Sequence, residues 1–102
     1  MNIAIDYDET YTLDPVVWSK IINILLESKH NVYCVTKRYE AIADDIKDTL
    51  NIPIIFATKS KLEAVQSHDV KIDVWIDDRP HSIMPYKALA QTHNPFKHNK
   101  WK

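Results

Sequence analysis

The chain has 102 residues, with 13 Lys+Arg against 14 Asp+Glu and a formal net charge of -1. That length predicts a single domain over 1–102, since two cores of half the size would each need staples, and the near-neutral charge excludes a protein that coats nucleic acid by bulk electrostatics. The lone cysteine, Cys34, excludes an internal disulfide framework and a multi-cysteine zinc site, and no apolar run approaches the ~18 residues of a membrane span.

Residues 1–20 show no basic region followed by an apolar stretch, so the expectation is a soluble, cytoplasmic protein that makes no use of a membrane. Glycine is absent, so positions needing a positive φ are expected to fall to Asn or Asp, and Gly-rich phosphate cradles are excluded.

In chain order, Ile3-Ala4-Ile5 reads as a short buried strand ending at Asp6. Asp14-Pro15 reads as an N-cap and a proline at the first position of a helix. That helix carries Val17, Ile21 and Leu25 on one stripe and Trp18, Ile22 and Leu26 on the next, ending near Lys29. Two adjacent stripes predict a helix largely covered by its sheet. Val32-Tyr33-Cys34-Val35 is the second strand and ends at Thr36. Tyr39, Ile42, Ala43, Ile46 and Leu50 mark a second helix, with Asn51 as a left-handed cap and Pro53 preventing continuation.

Pro53–Phe56 is the third strand, Ser60–Ser67 a short helix, and Ile72–Ile76 a fourth strand running into Asp77-Asp78-Arg79-Pro80. A weak fifth strand is expected over Lys87–Gln91. The alternation predicts an α/β fold: a three-layer, Rossmann-like parallel sheet with helices on both faces. Ligands of such sheets sit at the carboxyl ends of the strands. The polar residues gather there: Asp6 and Asp8 after strand one, Thr36 after strand two, Asp77 and Asp78 after strand four, with Lys59 and Lys61 at the third helix.

Four carboxylates so crowded need protons or a divalent cation, and all-oxygen ligands favour Mg²⁺ over zinc. The expected ligand set is Asp6, the main-chain carbonyl of Asp8, and the Asp77/Asp78 pair, with Asp78 direct and Asp77 direct or through water. Asp6 would attack phosphorus as a nucleophile. Asp8 would protonate the leaving oxygen and then deprotonate water, its like-charged neighbours helping it hold the proton. Thr36 and Lys61 would bind the phosphoryl oxygens.

The segments Ile3–Thr10, Val35-Thr36, Lys61 and Trp75-Ile76-Asp77-Asp78 resemble, in order and spacing, the four motifs of the haloacid dehalogenase-like superfamily. The resemblance covers residues 2 to about 80 and implies a phosphomonoesterase working through an aspartyl-phosphate on Asp6, the aspartate at Asp8 being the mark of the phosphatases. Lys61 fits the family spacing better than Lys59. Glu9 stands where the family commonly has glycine. Asp-Asp-Arg-Pro at 77–80 is similar to the metal motif of deoxyribonucleotidases and polynucleotide 3′-phosphatases, which implies a nucleotide or a phosphorylated nucleic-acid end as substrate. Neither place where the family inserts a cap leaves room for one, and an open site with a free sheet edge favours a homodimer.

Other residues read more plainly. Cys34 is a buried core thiol, Trp18 and Trp75 are packing residues, and Arg38 and Arg79 either bind substrate phosphate or pair with nearby acids. The histidines, His30, His68, His81, His93 and His98, lack metal-ligand spacing. Phe96–Lys102 is basic with two aromatics, the composition of a frayed terminus or of a nucleic-acid contact. Two further readings compete with the phosphatase. A receiver-like phosphorylation switch needs an aspartate after strand three, where Ala57-Thr58-Lys59 stands. A non-catalytic metal- and phosphate-binding module would not need Asp8.

Overall fold

A computed structural model describes residues 1–85 of the chain. The expected fifth strand at 87–91, the stretch 96–102, His93 and His98 lie outside the described residues. Within 1–85 the fold is α/β. Strands β1 (Asn2–Ile5), β2 (Asn31–Thr36), β3 (Ile54–Phe56) and β4 (Val74–Ile76) form one sheet in the order β3-β2-β1-β4, every pair parallel. Helices α1 (Pro15–Glu27), α2 (Asp44–Thr49) and α3 (Lys61–Ser67) fill the crossovers. Among the described residues no helix is long and apolar enough to cross a membrane.

Strand residues alternate between two cores, as a pleated strand buried on both faces must. Ile5, Val32, Cys34, Ile54, Phe56 and Ile76 pack with Ile22 of α1 and Ile46 of α2. Ala4, Tyr33, Val35, Ile55 and Trp75 pack with Leu62 and Val65 of α3. Cys34 is fully buried, and burial pushes its thiol up to about 12. The chain steps outward from β1 to β2 to β3, then returns to place β4 on the other side of β1. The strand order therefore reverses between β1 and β4, and such a reversal opens a crevice beyond their carboxyl ends.

The helix starts follow their caps. The Asp14 carboxylate accepts from the Val17 N–H at 3.2 Å, and the Ser60 hydroxyl accepts from the Glu63 N–H at 3.1 Å. Three expectations are corrected. α1 is not largely covered: Ile22 is its one buried residue, while Val16, Ile24 and Leu26 are 65%, 60% and 42% exposed. Only the Trp18, Ile22, Leu25 stripe reaches the core of this narrow sheet.

The second helix does not run unbroken from Tyr39. A 3₁₀ turn at Glu40–Ile42 precedes α2, and the two are offset at Ala43. The Ile42 carbonyl accepts from the Arg38 side chain at 3.3 Å, while the Ile46 N–H bonds Ala43 O instead. Nor is Asn51 a left-handed cap. Leu50 is already extended, which puts Leu50 and Ile52 on the same side of the chain, both in the core.

Positive φ falls at Glu9 (59°), Lys29 (68°) and Asp69 (57°), so only one of the three is an Asn or Asp. Lys29 and Asp69 each follow a helix end. The next residue's N–H reaches back to Leu25 O or Val65 O at 3.0 Å, closing the helix with the bonds usually made around a glycine.

Candidate active site

The crevice at the switch point is a cleft of about 750 Å³ lined from four directions. The loop after β1 supplies Asp6, Asp8 and Glu9, and the end of β2 supplies Thr36, Lys37 and Arg38. The start of α3 adds Lys59, Ser60, Lys61 and Glu63, and the loop after β4 adds Asp77, Asp78, Arg79 and His81. Each expected site residue thus lines one cavity, because parallel strands deliver all their carboxyl ends to the same edge.

At its base Lys61 is 2% exposed and its ammonium donates to Asp6 Oδ1 at 2.8 Å and to Asp77 Oδ2 at 2.5 Å. Position N1 of α3 points the side chain inward under the strand ends, whereas Lys59, outside the Ser60 cap, is exposed. Asp77 Oδ1 accepts the Arg79 N–H at 2.8 Å, so both Asp77 oxygens are engaged. The Thr10 hydroxyl lies 3.3 Å from both Asp6 Oδ2 and Asp78 Oδ1, and its hydrogen serves one of them at a time. It also accepts the Asp78 N–H at 3.3 Å, tying the β1 loop to the β4 loop.

Burial pushes the Asp6 carboxyl up to about 6 despite Lys61, and a hydrogen bond with Asp78 adds to the rise. The same hydrogen bond holds Asp78 below the usual carboxylate range. The Asp8 carboxylate, for which like-charged neighbours were expected, faces the Arg38 guanidinium, with Nε 3.2 Å from Oδ2 and Nη2 on Oδ1.

Carboxylate oxygens of Asp6, Asp77 and Asp78 lie within 4.8 Å of one another. The Asp8 carboxylate is not in that group. Hard oxygen donors so grouped fit a small divalent cation. Thr36 is buried, and its hydroxyl oxygen accepts the Arg38 N–H at 3.1 Å, which leaves its hydrogen to donate into the cleft. Glu9 takes the left-handed conformation that a glycine there would adopt freely.

No family model, curated protein or solved structure matches the chain.

One feature escaped the sequence reading, and a second was left there between two alternatives. Thr10 joins Asp6 to Asp78 from the fourth position after the first aspartate, a residue type that reads equally well as a turn former. Arg38, read as either a phosphate ligand or an ion-pair partner, is paired with Asp8 and Asp45. Its position two residues after Thr36 was the only available signal, since Asp45 reaches it from the next helix.

Proposed function

We propose that the chain is a Mg²⁺-dependent phosphomonoesterase of the haloacid dehalogenase-like type, a three-layer, capless domain that transfers a phosphoryl group to Asp6 and then to water. The buried triad of Lys61 with Asp6 and Asp77 at the floor of an open cleft carries this reading. A lysine held 2% exposed between two acids would be costly as mere structure, and it points at the atom that would receive the phosphoryl group.

Asp6 and Asp78 hold the freer oxygens for the cation, with Asp77 kept in place behind them by Lys61, and the Asp8 carbonyl is the proposed main-chain ligand. Mg²⁺ held by these residues would offset their negative charge and that of a phosphate brought to a carboxylate that would otherwise repel it.

An Asp6 oxygen attacks phosphorus. The new O–P bond forms as the ester P–O bond breaks, and the leaving oxygen keeps the electron pair and takes a proton from the Asp8 carboxyl. Water then attacks the aspartyl-phosphate, gives its proton back to Asp8, and releases inorganic phosphate while Asp6 regains its carboxylate. Lys61 and the Thr36 hydroxyl donate to the equatorial oxygens throughout.

Lys37, Lys59 and Arg79 line the same cleft and form no ion pair among the described residues. Three uncommitted cations around an open mouth favour a substrate with more negative charge than the scissile phosphate alone, such as a nucleotide or a phosphorylated nucleic-acid end. A panel of phosphomonoesters with Mg²⁺ and with EDTA tests this, using mononucleotides, end-phosphorylated oligonucleotides, phosphopeptides and sugar phosphates. Metal-dependent phosphate release abolished by Asp6→Asn is the expected result. Asp6→Asn keeping more than about a hundredth of the activity would exclude a covalent Asp6, because losing a nucleophile costs far more. Binding without turnover across the panel would leave the non-catalytic module.

A further inference from the structure

We propose that Arg38 is the positioning residue of the Asp8 carboxyl and that Asp45 anchors it. The inference rests on the phosphatase reading and concerns a residue which that chemistry does not itself require.

A guanidinium has five N–H donors in a planar fork. In Arg38 the Nε and Nη2 groups meet the two oxygens of Asp8, while Nη1 meets Asp45 Oδ1 and the Ile42 carbonyl. Those bonds use four of the five donors, so at most one N–H remains for a substrate. The guanidinium carbon also lies 5.5 Å from the centre of the Tyr7 ring, which is itself stacked on Tyr11. The arginine is thus fixed on three sides, by a helix carboxylate, a main-chain carbonyl and an aromatic face, and Asp8 is held on the fourth.

Asp8 is otherwise free to turn. Its side chain is 50% exposed, and Arg38 is its one side-chain partner among the described residues. A proton carrier of that kind swings through many orientations unless something sets the plane of its carboxyl group. The paired contact sets the plane. Each carboxylate oxygen still has a second lone-pair site, and that is the site left to exchange a proton with the leaving group or with water. The break between the Glu40–Ile42 turn and α2 fits the same role, because it turns the Ile42 carbonyl to Arg38 instead of into the helix.

The test compares Arg38→Ala, Asp45→Ala, Asp8→Asn and the Arg38→Ala/Asp8→Asn double variant, with Mg²⁺, on p-nitrophenyl phosphate and phenyl phosphate. Rapid mixing separates the first nitrophenolate burst from steady turnover. Arg38→Ala should keep a burst near one per active site while steady turnover falls about 10- to 100-fold, within the range a positioned acid–base group supplies. Phenyl phosphate, with the poorer leaving group, should lose more than p-nitrophenyl phosphate. Asp45→Ala should give the same pattern more weakly, and circular dichroism reports whether each variant is folded. Millimolar guanidinium should partly restore Arg38→Ala.

The decisive comparison is the double variant, which should be no slower than Asp8→Asn alone, since Arg38 would have nothing left to position. If the arginine loss keeps its full factor in that background, or appears as a raised KM, Arg38 binds the substrate directly and the proposal is overturned. Turnover within threefold of wild type in both single positioning variants also overturns it. A wild-type protein inactive on both aryl phosphates brings down the phosphatase reading together with this one, whereas the other failures leave that reading standing.

Discussion

Lys61→Met removes the one buried lysine or arginine among the described residues, at the floor of the cleft, and nearly preserves its shape. The ammonium donates to Asp6 and Asp77 at 2.8 and 2.5 Å, and the three side chains are 3%, 10% and 3% exposed. Without it, two desolvated carboxylates face each other with no counter-charge, and breaking a buried pair from one side costs about 3–5 kcal/mol. A domain of this size has about 5–15 kcal/mol in total, so the midpoint of thermal unfolding should drop by at least about 12 °C.

The loss should shrink in acid. Lys61 is what draws the Asp6 carboxyl downward, so its removal raises the folded pKa still further above the unfolded 3.8. The native variant then holds a proton that the unfolded chain has released, and stability rises as pH falls from 7 toward 4. Urea unfolding of the metal-free protein at pH 5 and pH 7, beside Lys59→Met as control, measures both effects. Lys59 is exposed and unpaired among the described residues, and its replacement should cost within about 0.5 kcal/mol. A Lys61→Met variant within 1 kcal/mol of wild type at pH 7, or a Lys59→Met variant equally destabilised, would refute the reasoning.

Two further outcomes are expected. In wild-type protein without metal, the Asp6 carboxyl at about 6 against 3.8 unfolded means that its contribution to stability falls as pH rises between those values, by about 3 kcal/mol. Added Mg²⁺ should restore that stability at pH 7, with an apparent affinity weakening about tenfold per unit below pH 6; a Tm series in pH and Mg²⁺ showing neither trend would remove the acid cluster as a cation site. Lys29→Gly should raise urea stability by about 1 kcal/mol, since the left-handed position after α1 penalises any residue with a Cβ; no gain would mean that the lysine side chain makes a compensating contact.

The order of elements and the edge at which chemistry-bearing residues collect are legible in the amino-acid sequence. β-Branched runs, an Asp-Pro helix start and acids placed at strand ends are local signals, and parallel topology sends every such end to one side. That is why Asp6, Thr36, Lys61, Asp77 and Asp78 could be named before any of them was seen together. Strand limits moved by a residue or two, and α1 turned out to have one covered stripe where its sequence has two. How much of an apolar helix is covered depends on the width of the sheet beneath it, which no window of sequence contains.

The different surroundings of the two aspartates in the loop after β1 exist only in the folded chain. Asp6 and Asp8 are the same residue type two positions apart, but burial and Asp78 act on Asp6 while Asp8 turns to Arg38. The choice of Lys61 over Lys59 needed the phase of α3 as well as its spacing from Asp77, since one lysine enters the floor of the cleft and the other stays on its rim. Desolvation and ion pairing depend on what approaches from distant parts of the chain, here β4 for Asp6 and α2 for Arg38. They become defined only when the sheet has brought those parts together.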